Sequence, residues 1–88
     1  MRERKIEQRL VELVKLAGGT AYKFTSPGRA GVPDRLVLLP AGKLFFVELK
    51  APGKKPTAKQ SYEHAKLRAL GQTVLVVDSL DACDGVVR

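Results

Sequence analysis

Two apolar runs, Leu36-Val37-Leu38-Leu39 and Leu44-Phe45-Phe46-Val47, stand on either side of Pro40-Ala41-Gly42. Runs of this length around a Pro/Gly turn read as the two strands of a hairpin. Apolar character on both faces marks strands buried within a sheet. The far ends constrain the fold further. Asp34 follows Pro33 just before the first run, and Glu48-Leu49-Lys50 directly follows the second. Charges at the ends of buried strands are costly unless something compensates them.

The hairpin can be counted outward from its turn. With a three-residue loop ending on a left-handed Gly42, Leu39 faces Lys43 and Asp34 faces Glu48. Directly opposed side chains share a face with Cβ atoms roughly 4.5–5.5 Å apart. Glu48 and Lys50 are two apart and also share that face, whereas Leu49 points the other way. Asp34, Glu48 and Lys50 therefore converge. A four-residue loop would slip this register. Two carboxylates so placed repel each other, and a bridging divalent cation reverses the penalty. The chemistry implied is metal-dependent hydrolysis of a phosphodiester.

Charge agrees with a polyanionic partner. The 88 residues carry 16 Lys and Arg against 9 Asp and Glu, a formal net charge of +7, and each phosphate contact releases counterions. Basicity alone would equally describe an ordinary soluble protein; the carboxylate cluster moves the balance. The length implies one domain over 1–88, small enough for dimerisation to help its stability. Cys83 is the only cysteine, so neither a disulfide nor a cysteine metal site is expected, and a reducing, cytoplasmic setting fits. Glu3, Glu7 and Glu12 interrupt the basic N-terminus and no apolar segment follows, so neither a signal nor a transit peptide is expected. No apolar run is long enough to span a membrane. No repeat, low-complexity segment or linker is evident.

Along the chain, Ile6, Leu10, Leu13, Val14 and Ala17 recur at helical spacing, giving a helix from about residue 3 that stops at Gly18-Gly19. A strand is expected over 20–24, a loop over 26–33, and the hairpin over 35–39 and 44–50. After a Pro/Gly/Lys loop, Thr57 with Gln60 forms a capping box that opens a helix running to about residue 70. Thr73 through Val77 reads as a buried strand, and Ser79 caps a last short helix. The fold class is α/β. Its αβββαβ core is a small mixed sheet flanked by helices, with an antiparallel hairpin and a right-handed crossover to a parallel fourth strand.

Pro33-Asp34 with Glu48-Leu49-Lys50 resembles the PD-(D/E)XK nuclease superfamily, which implies that the α/β fold is a restriction-endonuclease-like αβββαβ core. The wider context, Gly31-Val32-Pro33-Asp34-Arg35, Phe46-Val47-Glu48-Leu49-Lys50-Ala51-Pro52-Gly53-Lys54 and Gln60 on the next helix, resembles one branch of it, the virus-type replication-repair nuclease (VRR-NUC) domain. The segment from Gly18-Gly19 to Lys23 and Gly71 before the last strand fit as well, so the resemblance covers nearly the whole chain. It implies metal carboxylates at Asp34 and Glu48, a further ligand in the Leu49 carbonyl, a catalytic lysine at Lys50 and an active-site glutamine at Gln60. Either Glu3 or Glu7 matches the family's helix-one carboxylate. Glu7 is preferred, on its spacing to Leu10 and Val11, as both a catalytic and a metal residue. The implied cofactor is Mg²⁺ or Mn²⁺. The implied activity is that of a homodimeric endonuclease acting on branched DNA such as four-way junctions, of phage or bacterial type.

Plainer roles stand beside these. Asp34 could cap the turn after Pro33, and Gln60 could serve the capping box alone. Lys23, Arg29, Arg35, Lys54, Lys55 and Lys59 are expected on the DNA backbone, although a solvated basic face is the default for such residues. His64 shares a helix face with Gln60, yet a surface position is expected. Tyr22 and Tyr62 are expected to be partly buried packing residues. Asp78, Asp81 and Asp84 lack calcium-loop spacing. Two other functions share the same features: a non-catalytic module for structured nucleic acid, and a restriction-type nuclease on linear duplex.

Overall fold

The computed structural model describes residues 2–88. Helix α1 (Glu3–Leu16) leads into strands β1 (Thr20–Lys23), β2 (Arg35–Leu39) and β3 (Lys43–Leu49). Helix α2 (Ala58–Ala69), strand β4 (Val74–Val77) and helix α3 (Leu80–Val86) complete the chain. The four strands form one sheet in the order β1-β2-β3-β4. β1, β2 and β3 are antiparallel neighbours, and β4 runs parallel to β3. This is the expected mixed sheet flanked by helices.

The hairpin register is the one counted from sequence. Leu39 pairs with Lys43 and Arg35 with Val47, so the next pair outward is Asp34 with Glu48. The turn over 40–42 holds two left-handed residues, Ala41 (φ 69°) and Gly42 (φ 74°). Glycine adopts that conformation freely; alanine does so at a cost.

One face of the sheet carries the core. Ile6, Leu10 and Val14 of α1 are fully buried against Val37, Val47, Leu49 and Val77, with Cys83 and Val86 of α3 closing the cluster. Their i, i+4, i+8 spacing puts the three α1 residues on one stripe, and burying each contributes about 1.5–3 kcal/mol. Cys83 donates its thiol hydrogen to the Ile6 carbonyl at 3.3 Å, and burial pushes that thiol's pKa up. It is a structural residue. Helix α1 ends as expected, with Gly18 left-handed at φ 87° and the Gly19 amide donating back to the Val14 carbonyl at 2.9 Å.

The opposite face is covered only in part. Strand residues alternate between faces, so Glu48, lying between Val47 and Leu49, points away from the α1 core and towards α2. Farther from α2 the same face is open: Leu38, Leu44 and Val76 are about 37–40 % exposed and Tyr22 is 60 % exposed. This corrects two expectations. The hairpin strands are not buried throughout, and β4 is an edge strand in which only Val74 and Val77 are buried. Among the described residues no helix is long and apolar enough to cross a membrane.

Candidate active site

The site lies where β2 begins and β3 ends. Pro33 is fully buried and delivers Asp34 to the edge of the hairpin. There the Phe24 amide donates to the Asp34 carbonyl at 2.9 Å. The Asp34 side chain reaches across, and its Oδ2 accepts from the Leu49 amide at 2.8 Å. Asp34 is thereby clamped at both its backbone and its carboxylate, one residue from Glu48.

Glu48 is 1 % exposed and both of its oxygens are engaged by α2. Gln60 Nε2 donates to Oε2 at 3.2 Å, and His64 Nε2 lies 3.2 Å from Oε1. Gln60 and His64 are one turn apart, so a single helix face presents both. Burial, and then the adjacent Asp34 carboxylate, push the Glu48 pKa up to about 8; the Lys50 ammonium opposes them. Burial, and next the charges of Arg68 and Lys50, push the His64 pKa down. His64 is thus a neutral, buried partner of Glu48, not the surface histidine expected. Lys50 is half-buried beside both, its amide held by the Val77 carbonyl at 3.0 Å.

The two readings of Gln60 coexist. Its backbone amide donates to Thr57 Oγ1 at 3.2 Å, and its own Oε1 accepts from the Thr57 amide at 2.9 Å. The capping box fixes the side chain, and the remaining amide hydrogens are turned toward Glu48.

Glu7 falls outside this group. Its Oε2 accepts from Arg35 Nε at 2.9 Å, and Arg35 also donates to the Ala21 carbonyl at 3.0 Å. Arg35 and Glu7 side chains are only 16 % and 23 % exposed. This pair fastens α1 to the sheet, so Arg35 is occupied structurally and is not a free phosphate contact. The α1 carboxylate whose charge reaches Glu48 is Glu3. The reason is helical phase: Glu3 continues the buried stripe of Ile6, Leu10 and Val14 past the sheet end, while Glu7 lies on its flank. That continuation was available in the sequence as a signal.

The other basic residues divide. Lys23, Lys54, Lys55 and Lys59 are exposed. Arg29 donates to Glu63 at 3.1 Å. The loop bearing Arg29 is pressed onto the first turn of α2 through Gly31, where φ is +89° and a Cβ would fall 2.7 Å from the Lys59 carbonyl oxygen. Only glycine permits that approach, and it sets the path into Pro33 and Asp34. Tyr62 is 70 % exposed, contrary to the packing role expected for it.

The donor set suits a hard divalent cation. Asp34, Glu48 and the Leu49 carbonyl offer oxygen ligands of the kind Mg²⁺ and Mn²⁺ take. Burial first, and then the neighbouring Asp34 carboxylate, disfavour the ionised form of Glu48. Among the described residues no three His, Cys, Asp or Glu side chains group closely enough to hold a metal ion. A cation here would therefore rely on backbone oxygen, water or substrate for its remaining ligands.

Comparison with known proteins follows the same lines. No family model matches the chain. The chain is 63 % identical over 81 residues to "Putative nuclease p44" of Acyrthosiphon pisum secondary endosymbiont phage 1, spanning 92 % of this chain and 87 % of that protein. A solved structure described as a VRR_NUC domain superposes with a TM-score of 0.90 at 36 % identity, covering 97 % of this chain and 92 % of the other.

Proposed function

This chain belongs to the VRR-NUC family of nucleases, and from that premise we propose that it is a Mg²⁺- or Mn²⁺-dependent endonuclease that hydrolyses phosphodiester bonds in branched DNA, four-way junctions included. The observation that carries the reading is the Asp34 carboxylate held on the Leu49 amide at the end of the hairpin, where its charge and that of Lys50 both act on Glu48. The phage nuclease relative and the net charge of +7 support DNA as substrate.

Asp34, Glu48 and the Leu49 carbonyl would hold the cation, with Glu3 adding negative charge from α1. When bound, the cation supplies Lewis acidity at the scissile phosphate and a water of lowered pKa. Asp34 is aimed by the Leu49 amide, and Glu48 by Gln60 and His64. These hydrogen bonds favour one orientation of each carboxylate and limit the reorganisation that cation binding would require. Lys50 orients the attacking water and neutralises charge beside the phosphate. Exposed Lys23, Lys54, Lys55 and Lys59 hold the backbone without reading sequence.

A homodimer working in the cytoplasm completes the proposal, since two-fold symmetry places two sites at matched positions on a junction. The test is cleavage of a labelled panel (duplex, flap, fork and four-way junction) with Mg²⁺, Mn²⁺ or EDTA. Metal-dependent cutting that favours the branched substrates is expected. Cutting in EDTA, or cutting of plain duplex alone, would overturn it. Light scattering should return the mass of two chains.

A further inference from the structure

Beside the carboxylates lies a second feature that they do not use. An open cleft of about 530 Å³ runs between the 28–30 loop and α2, lined by Arg29, Lys59, Tyr62, Glu63 and Lys66. The α2 members recur at i, i+3, i+4 and i+7, one continuous helix face, and it is a different face from that of Gln60 and His64. Tyr62 leaves 70 % of its surface in water between the two lysines. Glu63 is almost buried, with 9 % of its side chain exposed, and holds the Arg29 guanidinium at 3.1 Å. The loop arginine is thereby fixed on the cleft wall. Three cations stand against one carboxylate around an exposed ring.

We propose that this cleft binds one unpaired nucleotide of the DNA substrate, its base stacked on Tyr62 and its flanking phosphates held by Lys59, Lys66 and Arg29. The inference rests on the DNA-cleaving reading above and adds to it a determinant of substrate choice. A base inside a duplex has both faces covered by its neighbours and cannot stack on a side chain. An unpaired base has a free face, and any base will serve because stacking needs only a π surface. The cationic rim supplies the complementary charge. The location is suitable, since the loop passes from Ala30 in the cleft wall through Gly31 to Asp34 in four residues, at most about 14 Å of chain. A strand leaving the carboxylates can therefore enter the cleft where pairing is interrupted. Glu63 is a positioning residue, acting through Arg29.

The experiment uses the full chain in EDTA with a forked DNA carrying 2-aminopurine at the first unpaired nucleotide, and with a fully paired control of the same length. Wild-type protein should quench the 2-aminopurine of the fork as it binds. Tyr62→Ala should lose the quenching and bind the fork about tenfold more weakly, with little change on the paired control. Tyr62→Phe, which keeps the ring, should retain both properties. Binding of the fork without quenching, or an equal loss on fork and paired DNA in Y62A, overturns the inference and leaves the nuclease reading intact. Failure to bind either DNA overturns both. Tyr62 is exposed, so its variants are expected to fold, and circular dichroism checks this.

Discussion

Glu48 Oε2 accepts a hydrogen bond from Gln60 Nε2 at 3.2 Å, and the other end of the same Gln60 amide caps helix α2 through Thr57. A device of local helix chemistry therefore aims a side chain at the buried carboxylate of the site. Losing the cap should loosen that aim. Thr57→Ala is expected to cost about 1 kcal/mol of stability and to lower cleavage modestly. Gln60→Ala should lower cleavage more, because it removes the hydrogen bond to Glu48 as well. Urea unfolding paired with single-turnover cleavage separates the two; equal cleavage in Q60A and T57A would detach Gln60 from the site.

Glu48→Ala and Lys50→Ala should each reduce cleavage by about 10³-fold or more while DNA binding survives. The first loses a carboxylate that would hold the cation, and the second loses the charge beside the phosphate. Gel-shift affinity and cleavage rates on the same substrate are the measurement. Full cutting by either variant would refute the assignment.

Helix α1 offers a direct discrimination. Glu7 is committed to Arg35 and Glu3 acts on Glu48. Glu7→Gln should retain cleavage and lose some stability, and Arg35→Ala, which also abandons the Ala21 carbonyl, should cost about 1–3 kcal/mol. Glu3→Gln should leave stability nearly unchanged and alter the metal concentration needed for half-maximal cleavage. Thermal melts and a metal titration decide between them.

The pH dependence of stability has a definite sign. In the folded, metal-free protein Glu48 holds its proton up to about pH 8, against an ordinary value of 4.5. Its folded pKa is raised, so its contribution is complete below pH 4.5 and is lost as pH rises through about 8. His64 is shifted the opposite way, down from 6.5, so it destabilises as pH falls below 6.5. Between pH 6.5 and about 8 the Glu48 effect acts without that opposition. The melting temperature in EDTA should fall across this window, Mg²⁺ should restore it most at the alkaline end, and Glu48→Gln should flatten the profile.

Gly31→Ala should destabilise the protein and depress cleavage together. The added Cβ meets the Lys59 carbonyl, and φ is +89°, so the loop must leave α2 and carry Asp34 with it. A soluble G31A protein with wild-type melting and cleavage would show that this approach is not required.

Much of this structure is legible in the sequence. The hairpin register follows from a period of two and a three-residue turn, and the strand pairs from Leu39 with Lys43 to Arg35 with Val47 agree with it. The Thr57–Gln60 capping box and the Ser79 cap were readable because both rest on contacts within four residues. The choice between Glu3 and Glu7 turns on helical phase, which is also readable: Glu7 lies against Arg35, and the α1 charge felt at Glu48 is that of Glu3. His64 is buried and Tyr62 exposed, the reverse of what the sequence suggests for each. Both are amphipathic residues on a helix with no strong apolar stripe, so periodicity could not orient them.

By itself the sequence determined the elements, their order, and the meeting of Asp34, Glu48 and Lys50, because those follow from backbone periodicity and turn length. Tertiary structure alone decided the surroundings of that meeting. Packing α2 over the end of β3 buried Glu48 under Gln60 and His64, drew Arg29 to Glu63 and left Tyr62 in water. Packing α1 on the other face tied Glu7 to Arg35. These outcomes depend on how rigid helices seat on a sheet, where a rotation of one residue exchanges a buried partner for an exposed one.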